Sequence, residues 1–169
     1  PGAAAFEMVL RLLQLRLRGL GYRPRREAEI DPLELLRVDL SFAAAKGLIA
    51  VDSMRGALFC FVTLINALSV GELRRVGRGL ALVGGAVLSS AGGFMSRWGQ
   101  QMLEEAQRVA DRTADPYLAG FGAVCTGQVR ILDGNWREVV ALSDRGGALL
   151  RAENLDYSWE ATAGRMGLL

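Results

Sequence analysis

Histidine is absent from the 169 residues, which removes Ser-His-Asp and Cys-His nucleophiles, imidazole metal ligands and imidazole acid–base catalysis. Other chemistry-bearing side chains are then tested by spacing. Cys60 and Cys125 lie far apart inside apolar helical runs, so buried free thiols in a reducing compartment are expected rather than a bridge. Two cysteines without histidine do not make a zinc site. Glu104 and Glu105 are adjacent, and neighbours on a helix point about 100° apart, so they read as a solvated face and not as a facing carboxylate pair. Lys46, the single lysine, lies in Ala45-Lys46-Gly47, without the glycine spacing or hydroxyl of a phosphate loop. Gly77-Arg78-Gly79 and Gly84-Gly85 interrupt helical patterns with no preceding strand, which points to close helix packing and not to a dinucleotide fingerprint. Ser89-Ser90 and Ser143-Asp144 have no partnering base and read as helix-end or surface groups. No catalytic, cofactor-binding or metal-ligating residue is assigned.

Charge is distributed unevenly. The formal net charge is +2, yet residues 1–26 hold Arg11, Arg16, Arg18, Arg23, Arg25 and Arg26 against the single acid Glu7. The remaining residues carry 14 basic and 17 acidic side chains, so no basic face extends over the main body as a nucleic-acid domain requires. The basic arm is suited to phosphates or anionic lipid, although a solvated helix face with a linker gives the same pattern. The Pro-Gly-Ala start and the apolar close from Arg165 to Leu169 suggest a piece cut from a longer chain, and the charged first stretch does not read as a signal peptide.

The elements that must position these residues are helical. Phe6, Val9, Leu10, Leu13 and Leu17 recur at helical spacing within residues 3–18, with Arg11 and Arg18 on another face, which predicts an amphipathic helix. Residues 1–26 are accordingly read as this helix and a basic linker, and 27–169 as the helical body. Asp31-Pro32-Leu33-Glu34 predicts a capping box with proline at the first helical position. Asp52-Ser53 and Asp115-Pro116 are further starts. Between them, helices are expected to about Val51 and over 54–70, 72–91, 95–113, 117–132 and 136–152, with a last one beginning near Tyr157.

The recurrence of helix, tight turn and helix invites a search for a repeat. A shift of 42 residues sets Ala81 on Ala123, Gly85 on Gly127, Val87 on Val129, Gly92 on Gly134, Phe94 on Trp136, Ala106 on Ala148 and Ala110 on Ala152. Small residues, a glycine turn and an aromatic at the next helix start are what stacked helix pairs require. The fold class expected is therefore all-α, an α-solenoid of antiparallel helix pairs, with Ala106 and Ala148 at helix contacts. A competing arrangement is an integral membrane hairpin, because residues 56–71 and 79–96 lack charge apart from the chain between them. The glycine and serine content of the second run opposes it.

An ordered set of segments from Glu34 to Leu169 resembles the tetratricopeptide-like helical region that follows the kinase and ATPase modules of large bacterial serine/threonine protein kinases. The segments are Leu36-Arg-Val-Asp-Leu-Ser-Phe, Gly47-Leu-Ile-Ala-Val-Asp-Ser-Met-Arg-Gly-Ala-Leu-Phe, Arg78-Gly-Leu-Ala-Leu-Val, Ser90-Ala-Gly-Gly, Ala114-Asp-Pro-Tyr-Leu-Ala-Gly, Leu132-Asp-Gly-Asn-Trp-Arg and Tyr157-Ser-Trp-Glu. The resemblance implies a cytoplasmic interaction or regulatory scaffold inside a multidomain signalling protein, with protein partners that include other domains of the same parent. It brings no catalytic residue, since the kinase catalytic loop needs a histidine and neither its glycine loop nor Asp-Phe-Gly is present. Tyr117, Trp98, Arg97 and Tyr157, near helix starts, are the aromatic and arginine anchors that such docking would draw on.

Overall fold

The computed structural model describes residues 2–152. Over these residues the chain is all-α, with seven α-helices and no strand. They are α1 (Gly2–Arg18), α2 (Pro32–Leu48), α3 (Ser53–Val70), α4 (Leu73–Leu82), α5 (Gly93–Thr113), α6 (Pro116–Leu132) and α7 (Trp136–Ala152). The helix expected near Tyr157 lies outside the described residues.

Local chemistry sets most starts. Asp31 accepts a hydrogen bond from Leu33 N at 2.8 Å, with Pro32 following it, and Asp52 accepts from Arg55 N at 3.1 Å. Asp115 accepts from Tyr117 N and Leu118 N ahead of α6. Each aspartate satisfies backbone donors that the first turn leaves without intrahelical partners. The turn before α7 uses Gly134 at φ +70°, and Asn135 bonds both the backbone and the carboxylate of Glu138.

The chain divides into two compact units, Pro1–Gly79 and Leu80–Leu169. In the first, α3 packs against both α1 and α2. Gly56 is required where α3 starts, because a Cβ there would stand 2.6 Å from Ile49 Cα in the preceding turn. Helix α3 ends at Gly71 in the left-handed conformation, and its carbonyl accepts from Arg25 N at 3.0 Å, fastening the connector from α1. The apolar face expected of α1 does not enter this core. Leu15 is fully buried, while Phe6, Val9, Leu10, Leu13 and Leu17 are exposed.

The second unit is built on close glycine crossings. A Cβ on Gly84 would lie 2.6 Å from the Gly99 carbonyl, and one on Gly99 would lie 2.9 Å from the Gly84 carbonyl. Gly120 and Gly146 stand in the same reciprocal relation, at 3.1 and 2.9 Å. Along α6 and α7, Gly120 meets Leu149 and Leu150 while Gly127 meets Leu142, so the two helices run in opposite directions.

Three expectations are corrected here. Residues 72–91 are not one regular helix: α4 ends at Leu82 and the chain widens into a π-turn over Val83–Leu88, then tightens over Ser89–Ala91. Gly84 faces α5 and Gly85 abuts Cys125 of α6, so both neighbours are met from successive residues of the wide turn. The apolar run 79–96 is therefore interrupted, and Gly92 and Gly93, at φ +73° and +54°, turn the chain within it. Among the described residues, one helix, Ser53–Val70, is long and apolar enough to cross a membrane, and 56% of its window is buried in the protein. Finally, Ala106 is buried but Ala148 is exposed. Gly146, not Ala148, makes the close contact with α6.

Candidate functional site

The second unit contains a cavity of about 320 Å³ between three helices. Ala119, Ala123, Thr126 and Val129 line it from α6, Leu103 from α5 and Leu142 from α7. Small side chains along α6 leave the hollow, because the turns of α5 and α7 beside it are not filled from below. Gln100, Glu104 and Gln107 of α5, with Arg130 and Arg145, form the polar part.

These polar groups are held unequally. Arg130 pairs with Asp133 at 3.0 Å and Glu138 at 3.2 Å, and the Asp133 hydrogen bond, outweighing burial, strengthens its hold on the proton. Gln107 Nε2 donates to Asp111 at 2.8 Å. Glu104 and Arg145 are exposed and have no side-chain partner among the described residues. The hollow thus offers an apolar floor, two amides and, among the described residues, one unpaired charge of each sign. It can take a short side chain or two of a protein segment while its edge pairs with that segment's polar groups.

A charged cluster in the first unit has a different character. Arg75 reaches Asp39 with Nε at 3.1 Å and Nη2 at 2.7 Å, and also meets Glu72 at 3.1 Å and Glu27 at 3.3 Å. Arg78 bonds Asp39 too and stacks 4.3 Å over the Phe42 ring. Burial would raise the Asp39 carboxyl, but Arg75 and Arg78 outweigh it and hold the group below the ordinary carboxylate value. Both guanidinium groups are already met by carboxylates, so the cluster fastens α2 to α4 through residues 39, 75 and 78.

The remaining candidates are packed. Cys60 is fully buried and burial pushes its thiol up to about 12, which leaves it protonated and unreactive at neutral pH. Cys125 is buried against Gly85. Ser89 donates to the Gly84 carbonyl, and Lys46 stands 4.9 Å over Phe42. Among the described residues, no three acidic or thiol side chains converge as a metal site would need. Of the expected anchors, Trp98 and Tyr117 are buried, Tyr117 stacking on Phe121 at 5.9 Å. They are core residues and cannot meet a partner. Arg97 is exposed, and Tyr157 lies outside the described residues. The sequence carries no visible signal for the α5–α7 hollow, because the hollow rests on a lack of bulk at Ala119 and Ala123 in an alanine-rich chain. No protein-family model, curated protein or solved structure matches the chain.

Proposed function

We propose that the chain is a non-catalytic docking scaffold, an α-solenoid of antiparallel helix pairs that receives a protein segment in the hollow between α5, α6 and α7. The observation that carries this reading is the pairing of an apolar floor with Glu104 and Arg145 at its edge, neither of which is engaged by a side chain among the described residues. The two reciprocal glycine crossings support the helix-pair architecture, since each closes one pair at short range. The segments quoted from Glu34 to Leu169 support a place in a cytoplasmic multidomain signalling protein, resembling the C-terminal region of bacterial serine/threonine kinases. There the scaffold would dock a separate protein or another domain of its own parent.

A displayed random-peptide library panned on the purified chain tests this. The expected result is a recurring peptide pattern whose affinity falls about tenfold or more in Arg145→Glu and in Glu104→Arg. Both residues are exposed at the edge of the hollow, so thermal melting should be little changed. A library that yields no binder, or binders indifferent to both substitutions, overturns the proposal.

A further inference from the structure

We infer that the outer face of α1 docks on an anionic lipid surface. Helix α1 has two apolar faces. One, centred on the fully buried Leu15 with Ala4, Ala5, Met8 and Leu12 part-buried beside it, meets the core of the first unit at α3. The other comprises Phe6, Val9, Leu10, Leu13 and Leu17, all exposed, with Leu17 at 88% and Phe6 at 67%. At 3.6 residues per turn these five side chains span an arc of about 100°. An uninterrupted apolar stripe of that width over a 17-residue helix is not explained by contacts among the described residues.

Charge decides what covers it. Arg16 borders the stripe on one side, and Gln14, Glu7, Arg18 and Arg11 follow on the other by helical position. The only acid, Glu7, is already engaged by Arg11 at 3.4 Å. Arg23, Arg25 and Arg26 of the connector are exposed as well. A second copy of this chain seated face to face would set six arginines against six, so a symmetric dimer through this face is opposed by its own charge. An apolar stripe with arginines at its edges fits the boundary between acyl chains and anionic headgroups: the stripe enters the acyl region and the arginine stems extend along it to place guanidinium groups among phosphates. This helix would lie in the surface and does not span it. The inference is independent of the α5–α7 hollow.

Flotation of the whole chain with phosphatidylcholine vesicles, and with vesicles also containing phosphatidylglycerol, tests it. Binding to the anionic vesicles should be tighter by about tenfold or more and weaken as salt rises. The double variant Leu13→Glu/Leu17→Glu should lose that binding while keeping its helical circular dichroism, because both positions are exposed. Arg16→Glu/Arg23→Glu should lose the preference for anionic vesicles. No flotation, equal binding to both vesicle types, or binding indifferent to the leucine variant would overturn the inference. So would a dimer in sedimentation that the leucine variant dissociates.

Discussion

Asp39 stands between two guanidinium groups, and its removal would leave Arg75, whose side chain is only 14% exposed, without its bidentate partner. Asp39→Asn is therefore expected to cost about 1–3 kcal/mol, less than breaking a fully buried pair because Asp39 itself is 37% exposed. The same carboxyl makes stability depend on pH. Its folded value lies below the ordinary one, so its contribution is present above about pH 4 and fades as pH falls through the lowered folded value. Melting curves of wild type and Asp39→Asn should converge in acid. An Asp39→Asn variant as stable as wild type at neutral pH would show that the pairs contribute nothing net. Cys60 gives a second reading at this scale: its native thiol should label with a thiol reagent at least about a hundredfold slower than in denaturant.

Helix contacts divide the glycines into those the fold needs and those it tolerates. Gly146→Ala would press a methyl to 2.9 Å from the Gly120 carbonyl, and a cost of about 1–3 kcal/mol is expected. Gly122, on the same helix pair, has open space around it, so Gly122→Ala should raise stability by about 0.5–1 kcal/mol through helix propensity. Denaturant titration of the two variants should move in opposite directions. Ala106→Asp should unfold its unit, whereas Ala148→Asp, on an exposed position, should melt like wild type. The helix starts were legible because Asp31, Asp52 and Asp115 act on the next few residues alone. The repeat register was not, because its contacts are tertiary. Gly84 and Gly120 differ by 36 positions but Gly99 and Gly146 by 47, so a uniform shift of 42 cannot superpose both crossings. Periodicity likewise identified the apolar stripe of α1 but could not say whether anything lies over it.

At the scale of the whole chain, the boundary between the two compact units falls inside α4, between Gly79 and Leu80. No linker marks it, because the chain is continuous helix there. Trypsin should accordingly cut first in the exposed connector after Arg25 or Arg26, and only later at Arg78, whose side chain is held by Asp39 and Phe42. Early cleavage at Arg78, read by mass spectrometry, would show that α4 opens more readily than its packing implies. The π-turn over Val83–Leu88 has a consequence for how this chain can change by descent. It amounts to a regular helix that has absorbed one inserted residue. Deleting a single residue there would restore the ordinary pitch and leave the flanking turns in register, at the expense of the widening through which Gly84 meets α5 and Gly85 meets Cys125. A second inserted residue has no such outlet and would swing everything beyond it by about 100°, so homologues should lose a residue across 83–88 more readily than they gain one.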